Sequence, residues 1–157
     1  MMVGLNDKQG NKIQNKTKEF IFGLFETDKA RKLAREVDEY LYNESPYHRA
    51  VEDYHVRCKD GIRTDCIGYI SNEGSFKFLT LTEKRKVCLV LHLGRKRFTE
   101  KAIEMQKDID DLLGRRFVEK DKTTLTPGEA YIRLEWVDNL EQIKPYIDEA
   151  YGLRLMR

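Results

Sequence analysis

Nothing in this chain approaches the ~20 consecutive apolar residues that a helix needs to cross a bilayer, so the sequence gives no membrane role. Its opening stretch, MMVGLNDKQGNK, has no apolar segment of the kind a secretory signal requires. Cysteine is scarce: Cys58, Cys66 and Cys88 are the only three in 157 residues, odd in number and without C-x-x-C spacing. That excludes a disulfide framework and reads as reduced thiols in a cytoplasmic protein. There is no glycine-rich phosphate loop, no serine elbow and no cofactor fingerprint. Charge of one sign is lacking as well. Lys and Arg total 29 against 27 Asp and Glu, a net charge of +2, so only local clustering of charge carries meaning.

What is present centres on Gly74–Gly94, GSFKFLTLTEKRKVCLVLHLG. Two β-rich apolar runs, Phe76–Leu81 and Val87–Leu93, flank the cationic turn Thr82-Glu83-Lys84-Arg85-Lys86, which is the pattern of a hairpin. Symmetric closure sets Leu81 opposite Val87, Leu79 opposite Leu89 and Lys77 opposite Leu91. Alternation then gives one face to Leu79, Leu81, Val87, Leu89, Leu91 and Leu93, and the other to Phe76, Phe78, Cys88, Val90 and His92.

Taken in order, residues 1–15 read as a loose leader and 16–157 as one domain, a length at which roughly two-thirds of the unfolded chain's surface can be buried. A short apolar stripe over Lys18–Phe25 precedes a stronger helix capped by Thr27 or Asp28, with Ala30, Leu33, Val37, Tyr40 and Leu41 on its buried face. Asp60-Gly61 between Tyr54–Cys58 and Ile62–Ile70 predicts a second hairpin, so four strands follow one another as a meander. A helix over Thr99–Leu113 follows, with Thr99 as N-cap, Phe98 packed on Ile103, and Gly114 as C-cap. A short strand is expected at Arg115–Val118. A clean alternating strand over Ala130–Val137 puts Ala130, Ile132, Leu134 and Trp136 on one face. Asp138 and Glu141 form a capping box before a last helix that starts near Pro145, where proline is tolerated. The fold expected is α+β: an antiparallel meander of about five strands flanked by an N-terminal, a middle (about 99–113) and a C-terminal helix.

The tail GEAYIRLEWVDNLEQIKPYIDEAYG resembles the ending of the domain of unknown function 5655, a family often labelled "predicted transport protein". Gly128, Leu140, Pro145, Ile147, Ala150 and Tyr151 stand where that family's pattern places them. The Gly74–Gly94 hairpin is similar to its paired strands, and Ile67-Gly68-Tyr69-Ile70 to the strand before them, so the likeness spans residues 15–153. Domains of that kind occur alone or fused to nuclease and restriction-type modules. The resemblance therefore implies a role linked to nucleic acid, and it supplies no catalytic residues.

The residues themselves offer four chemistries. Lys77, Lys84, Arg85, Lys86, Arg95, Lys96, Arg97 and Lys101 crowd the hairpin, and Arg115 and Arg116 join them if the helix brings them across. Cations beside exposed aromatics suit DNA or RNA, the phosphates being held by charge and the bases by stacking. Solvated, lysine-guarded turns are the bland account of the same cluster. His48, His55, Cys58 and Cys66 match no metal spacing, so no metal is expected. A restriction-type nuclease motif is not completed by Asp65, Glu83-Lys84-Arg85 or Glu119–Lys122, and Cys88 and His92 lie ~13 Å apart along one strand, too far to act together. Trp136, Tyr131, Phe76 and Phe78 either line a pocket or fill the core. The sequence thus predicts a non-catalytic binding domain for nucleic acid or a nucleic-acid-processing partner, through Lys77, Lys84, Arg85, Lys86, Arg95, Lys96 and Arg97. The alternative is a protein, homodimer or small-ligand contact on the Phe76, Phe78 and His92 face. A hydrolase ranks below both.

Overall fold

The computed structural model describes residues 13–43, 51–59, 62–70, 77–83, 87–94, 97–117 and 126–155. In chain order these form α1 (Ile13–Leu24), α2 (Asp28–Asn43), β1 (Val51–Lys59), β2 (Ile62–Ile70), β3 (Lys77–Thr82), β4 (Leu89–His92), α3 (Thr99–Leu113), β5 (Glu129–Ile132) and α4 (Lys144–Leu155), with single 3-10 turns at Leu134–Trp136 and Leu140–Gln142. The five strands make one antiparallel sheet in the order β1-β2-β3-β4-β5. The α+β meander expected from sequence is what the chain builds. Its first four strands pair in chain order, and α3 carries the chain back to place β5 beside β4.

Buried residues of all four helices join one core with the inner sheet residues Ile67, Tyr69, Leu79, Leu81, Leu89, Leu91, Ala130 and Ile132. Helix α2 contributes Ala30, Leu33, Val37 and Leu41 at the spacing of a single buried face, and α4 contributes Ile147, Ala150 and Tyr151. Thr27 caps α2 by accepting the Ala30 amide at 3.0 Å. Inside the core, the Tyr69 hydroxyl donates to the buried Asp38 carboxylate at 2.6 Å and ties β2 to α2. No helix among the described residues is long and apolar enough to cross a membrane.

Several local expectations are corrected. The β3–β4 hairpin pairs Leu79 with Leu91 and Leu81 with Leu89, two residues away from symmetric closure. A two-residue slide keeps every side chain on its face, because the strand period is two. Phe78 does change face. The β2–β3 register shifts at Tyr69/Ile70, with Tyr69 opposite Leu79 but Ile70 opposite Lys77, so Phe78 is the extra residue of a bulge. It turns into the core, fully buried (0% exposed), edge-to-face on Tyr151 at 5.0 Å. Cys88 and Val87 lie ahead of β4, outside the regular ladder, and exchange sides: Cys88 joins the core and Val87 the outer cluster.

The last strand stops at Ile132 because β4 offers partners only from Leu89 to His92. The chain then coils into the 3-10 turn, which sends Leu134 into the core and Trp136 to the opposite side, so the two do not share a face. Arg115–Phe117 is irregular rather than a strand. The position before α3 is Phe98 rather than Thr99, and Ile103 is 65% exposed, so no staple forms between Phe98 and Ile103. Gln142, rather than Glu141, reaches back to the Asp138 amide at 2.7 Å. Gly114 ends α3 in the left-handed region (φ +74°), its amide bonded to Asp110 O, as its sequence position predicts. Helix α4 starts at Lys144 with Pro145 in its first turn. Helix α1 begins at Ile13, inside the segment read as a leader.

Candidate functional site

Residues Lys84, Arg85, Lys86, Arg95, Lys96 and Phe76 lie outside the described residues. Lys77, Arg97, Phe78 and His92 are described, and they do not form one surface. Phe78 is in the core, which removes it from the face proposed for a protein or small-ligand contact. Lys101 is paired with Glu149 at 2.9 Å. Arg97 is exposed, its guanidinium over the Phe98 ring at 5.4 Å. Arg115 and Arg116 are exposed at the far end of α3, whose 15 residues span about 22 Å, so the helix separates them from Arg97 instead of joining them to it.

The outer sheet face, opposite the core helices, carries a connected polar row. His92 and Glu129 are direct cross-strand partners on β4 and β5, and Thr80 stands opposite Val90 on β3. His92 Nε2 lies 2.8 Å from Thr80 Oγ1, and His92 Nδ1 lies 3.0 Å from Glu129 Oε2. The second carboxylate oxygen of Glu129 accepts the Tyr131 hydroxyl at 2.9 Å, and that hydroxyl's oxygen accepts the Thr126 amide at 2.9 Å. Burial, with the Glu129 charge helping, pushes the Tyr131 phenol up from its ordinary value.

Lys77 completes this side. Its Cδ, Cε and Nζ lie 2.9, 2.7 and 3.0 Å from the point where a Cβ on Gly68 would stand, and Gly68 is the direct partner of Thr80. Only glycine leaves the lysine that lane. At the same end of the sheet Arg154 Nε donates to Lys77 O at 3.0 Å. Burial pulls the Arg154 guanidinium down from its usual value, with the Glu129 carboxylate opposing.

Next to the polar row stands an aromatic and cationic patch. Phe117 stacks on Tyr131 with ring centroids 5.1 Å apart and planes 13° from parallel, and Val87, Val90 and Trp136 pack around them. Trp136 is half-buried, and two guanidiniums lie over it, Arg115 at 5.3 Å and Arg133 at 5.2 Å. Arg133 is ion-paired to Glu135. Among the described residues no carboxylate pairs with Arg115 or Arg116. A cleft of about 570 Å³ runs along α3 from Thr99 past Ile103 and Lys107 to Asp111, bounded on its far side by Pro127 and Glu129.

On the core side, next to Val87 in the chain, Cys88 Sγ donates to Glu83 Oε1 at 3.4 Å. Burial, reinforced by the Glu83 charge, pushes the Cys88 thiol up to about 12, the opposite of what a nucleophilic thiolate requires. Cys66 and Cys88 are buried, and neither is in a disulfide. Among the described residues no group of three or more His, Cys, Asp or Glu side chains is arranged to hold a metal ion.

The polar row was not legible in the sequence. Thr80 and Glu129 carry no signal in the sequence, since His92 meets them only through the β3–β4 and β4–β5 registers, the second set by a 37-residue separation. No family model, no curated protein and no solved structure matches this chain, and the likeness to the domain of unknown function 5655 rests on the quoted residues.

Proposed function

We propose that this domain binds nucleic acid, in the company of a nucleic-acid-processing partner protein, and does so through the Arg115, Arg116 and Trp136 end of its outer sheet face. The observation that carries this reading is the half-buried indole of Trp136 flanked by the Arg115 and Arg133 guanidiniums, with the exposed Arg116 next in the chain and no carboxylate paired with it among the described residues. An indole flanked by cations offers a base something to stack on and its phosphates something to neutralise. Lys84, Arg85, Lys86, Arg95, Lys96 and Arg97 remain part of the proposal as a second contact. The likeness of the hairpin and tail to domains fused to nuclease modules points the same way.

Trp136 is the only tryptophan in the chain, so its fluorescence reports on this patch alone. A single-stranded oligonucleotide at low salt is expected to quench that emission to saturation. Its affinity should fall linearly on a log–log plot against salt concentration. Replacing Arg115 and Arg116 by Glu should weaken binding and flatten that slope by about 1.4, about 0.7 for each lost cation on a single strand. Trp136→Ala, followed by anisotropy of a labelled oligonucleotide, should weaken binding roughly 5- to 150-fold, the range for loss of one stacked base. Absence of quenching and of salt dependence, with RNA and DNA alike, would refute the proposal.

A further inference from the structure

The polar row admits one proton arrangement when the imidazole is neutral. The Thr126 N–H can only donate, so the Tyr131 oxygen accepts from it and its own O–H points at Glu129 Oε1. The carboxylate can only accept, so Oε2 takes the proton of His92 Nδ1. Nε2 is then bare, and the Thr80 hydroxyl, 2.8 Å away, must donate to it. This is the polarity of a hydroxyl nucleophile held on a general base whose tautomer a carboxylate fixes. Lys77 lies over Gly68, the residue directly across the ladder from Thr80. Cys88, four residues before His92 on the same segment, is out of reach; the base instead meets a nucleophile across the strands.

We propose that Thr80 is an activated nucleophile that takes small acyl groups from activated esters, with His92 as its general base, Glu129 as the residue that positions the imidazole, and Lys77 as the cation beside the reacting carbonyl. This goes beyond nucleic-acid binding and does not depend on it. Oγ1 attacks the ester carbonyl carbon while its proton passes to His92 Nε2. The carbonyl oxygen becomes an oxyanion beside the Lys77 ammonium. As the tetrahedral centre collapses the carbon–alkoxy bond breaks, and the departing alcohol takes the proton from Nε2. Water, deprotonated by the same imidazole, then attacks the Thr80 ester and releases a carboxylic acid and the free hydroxyl. The residue Thr80 is nearly covered (8% exposed), whereas the side chains of His92 and Glu129 keep 20% and 23% of their surface. Acetyl-sized groups fit such an opening, and bulky ones do not.

The test is to incubate the full chain with p-nitrophenyl acetate, follow nitrophenolate release, and locate the acetyl group by peptide mass spectrometry. A burst of release and an acetyl ester at Thr80 are expected. Thr80→Val should abolish both, and His92→Gln should slow acylation about 100-fold or more, the usual contribution of a general base. Glu129→Gln should slow it while leaving the acetyl on the same atom. Thr80→Ser guards against misfolding of the valine variant: it keeps the hydroxyl, and position 80 should be acetylated at least as fast. Acetyl groups found only on lysine or cysteine, or a Thr80→Ser variant unlabelled at position 80, would overturn the proposal. So would a His92→Gln variant labelled at Thr80 as fast as the parent.

Discussion

Gln106 is the residue whose replacement tests the packing most sharply. Strand β5 ends the sheet, yet the Tyr131 amide donates to Gln106 Oε1 at 2.7 Å and the Tyr131 carbonyl accepts from Gln106 Nε2 at 3.0 Å. A second proton of that amide nitrogen goes to Asp110 Oδ1 at 3.0 Å. One side-chain amide of α3 thus supplies what a neighbouring strand would, in a place where both residues are buried. In Gln106→Leu both backbone groups of Tyr131 lose their partner, and the leucine keeps water from replacing it. Each orphaned group costs about 1–3 kcal/mol, and the added apolar burial offsets about 1, for a net loss of about 1–5 kcal/mol. In urea the midpoint should fall by about 0.5–2.5 M at an unchanged slope of about 2 kcal/mol/M. Gln106→Glu sharpens the test. As a neutral acid its C=O accepts and its O–H donates, reproducing both bonds to Tyr131 but not the second donation to Asp110, and as a carboxylate it cannot donate at all and faces Asp110. Folding therefore raises the pKa of the introduced group above its unfolded value of about 4.3. The variant should come closest to the parent below that pH and lose stability as pH rises through the raised value. A Gln106→Leu variant within about 0.5 kcal/mol of the parent, or a Gln106→Glu deficit independent of pH, would refute the account.

Four further outcomes are expected. Tyr69→Phe leaves the buried Asp38 carboxylate without the 2.6 Å phenol donor and should lower stability by about 1.5–3 kcal/mol in chemical denaturation. The Cys88 thiol, raised from 9.0 to about 12, stays protonated in the fold where it would ionise in the unfolded chain. Its contribution is complete below about pH 9 and is lost as pH climbs toward 12, a loss that Cys88→Ala should lessen in alkaline melts. Below that range Cys88 should react with thiol reagents only as fast as the protein opens. Burial also raises the Glu83 carboxyl from 4.5, so its ionisation above that pH weighs against the fold. Glu83→Gln, which still accepts from Cys88, should raise the melting temperature at pH 7 and leave it unchanged at pH 3.

The sequence exposed whatever periodicity and turn chemistry could announce. The stripe Ala30, Leu33, Val37, Leu41 and the caps at Thr27 and Gly114 act over a few residues, and they stand as read. So does the meander. Phe78 was misplaced because alternation assumes an unbroken ladder, and a bulge is a property of two strands together. Trp136 was misplaced for a similar reason: its strand ends where β4 runs out of partners, and residues 130–137 hold no sign of that. The basic cluster was visible as composition, but the distance from Arg97 to Arg115 is set by the helix between them. Least legible was the row from Thr80 to Tyr131, since four residues on three strands become neighbours only once the registers are fixed.

The Gln106 amide also bears on how copies of this chain can meet. A sheet with two bare margins can add partners on either side and grow without limit, as fibres do. Here the β5 margin is stoppered by the protein's own helix, and β1 stands at the other end of the strand order. Strand addition at β5 would have to displace Gln106, whereas two β1 strands from separate copies would meet antiparallel about a two-fold axis. Such a pair has a stopper at each far end, so association by this route ends at two copies.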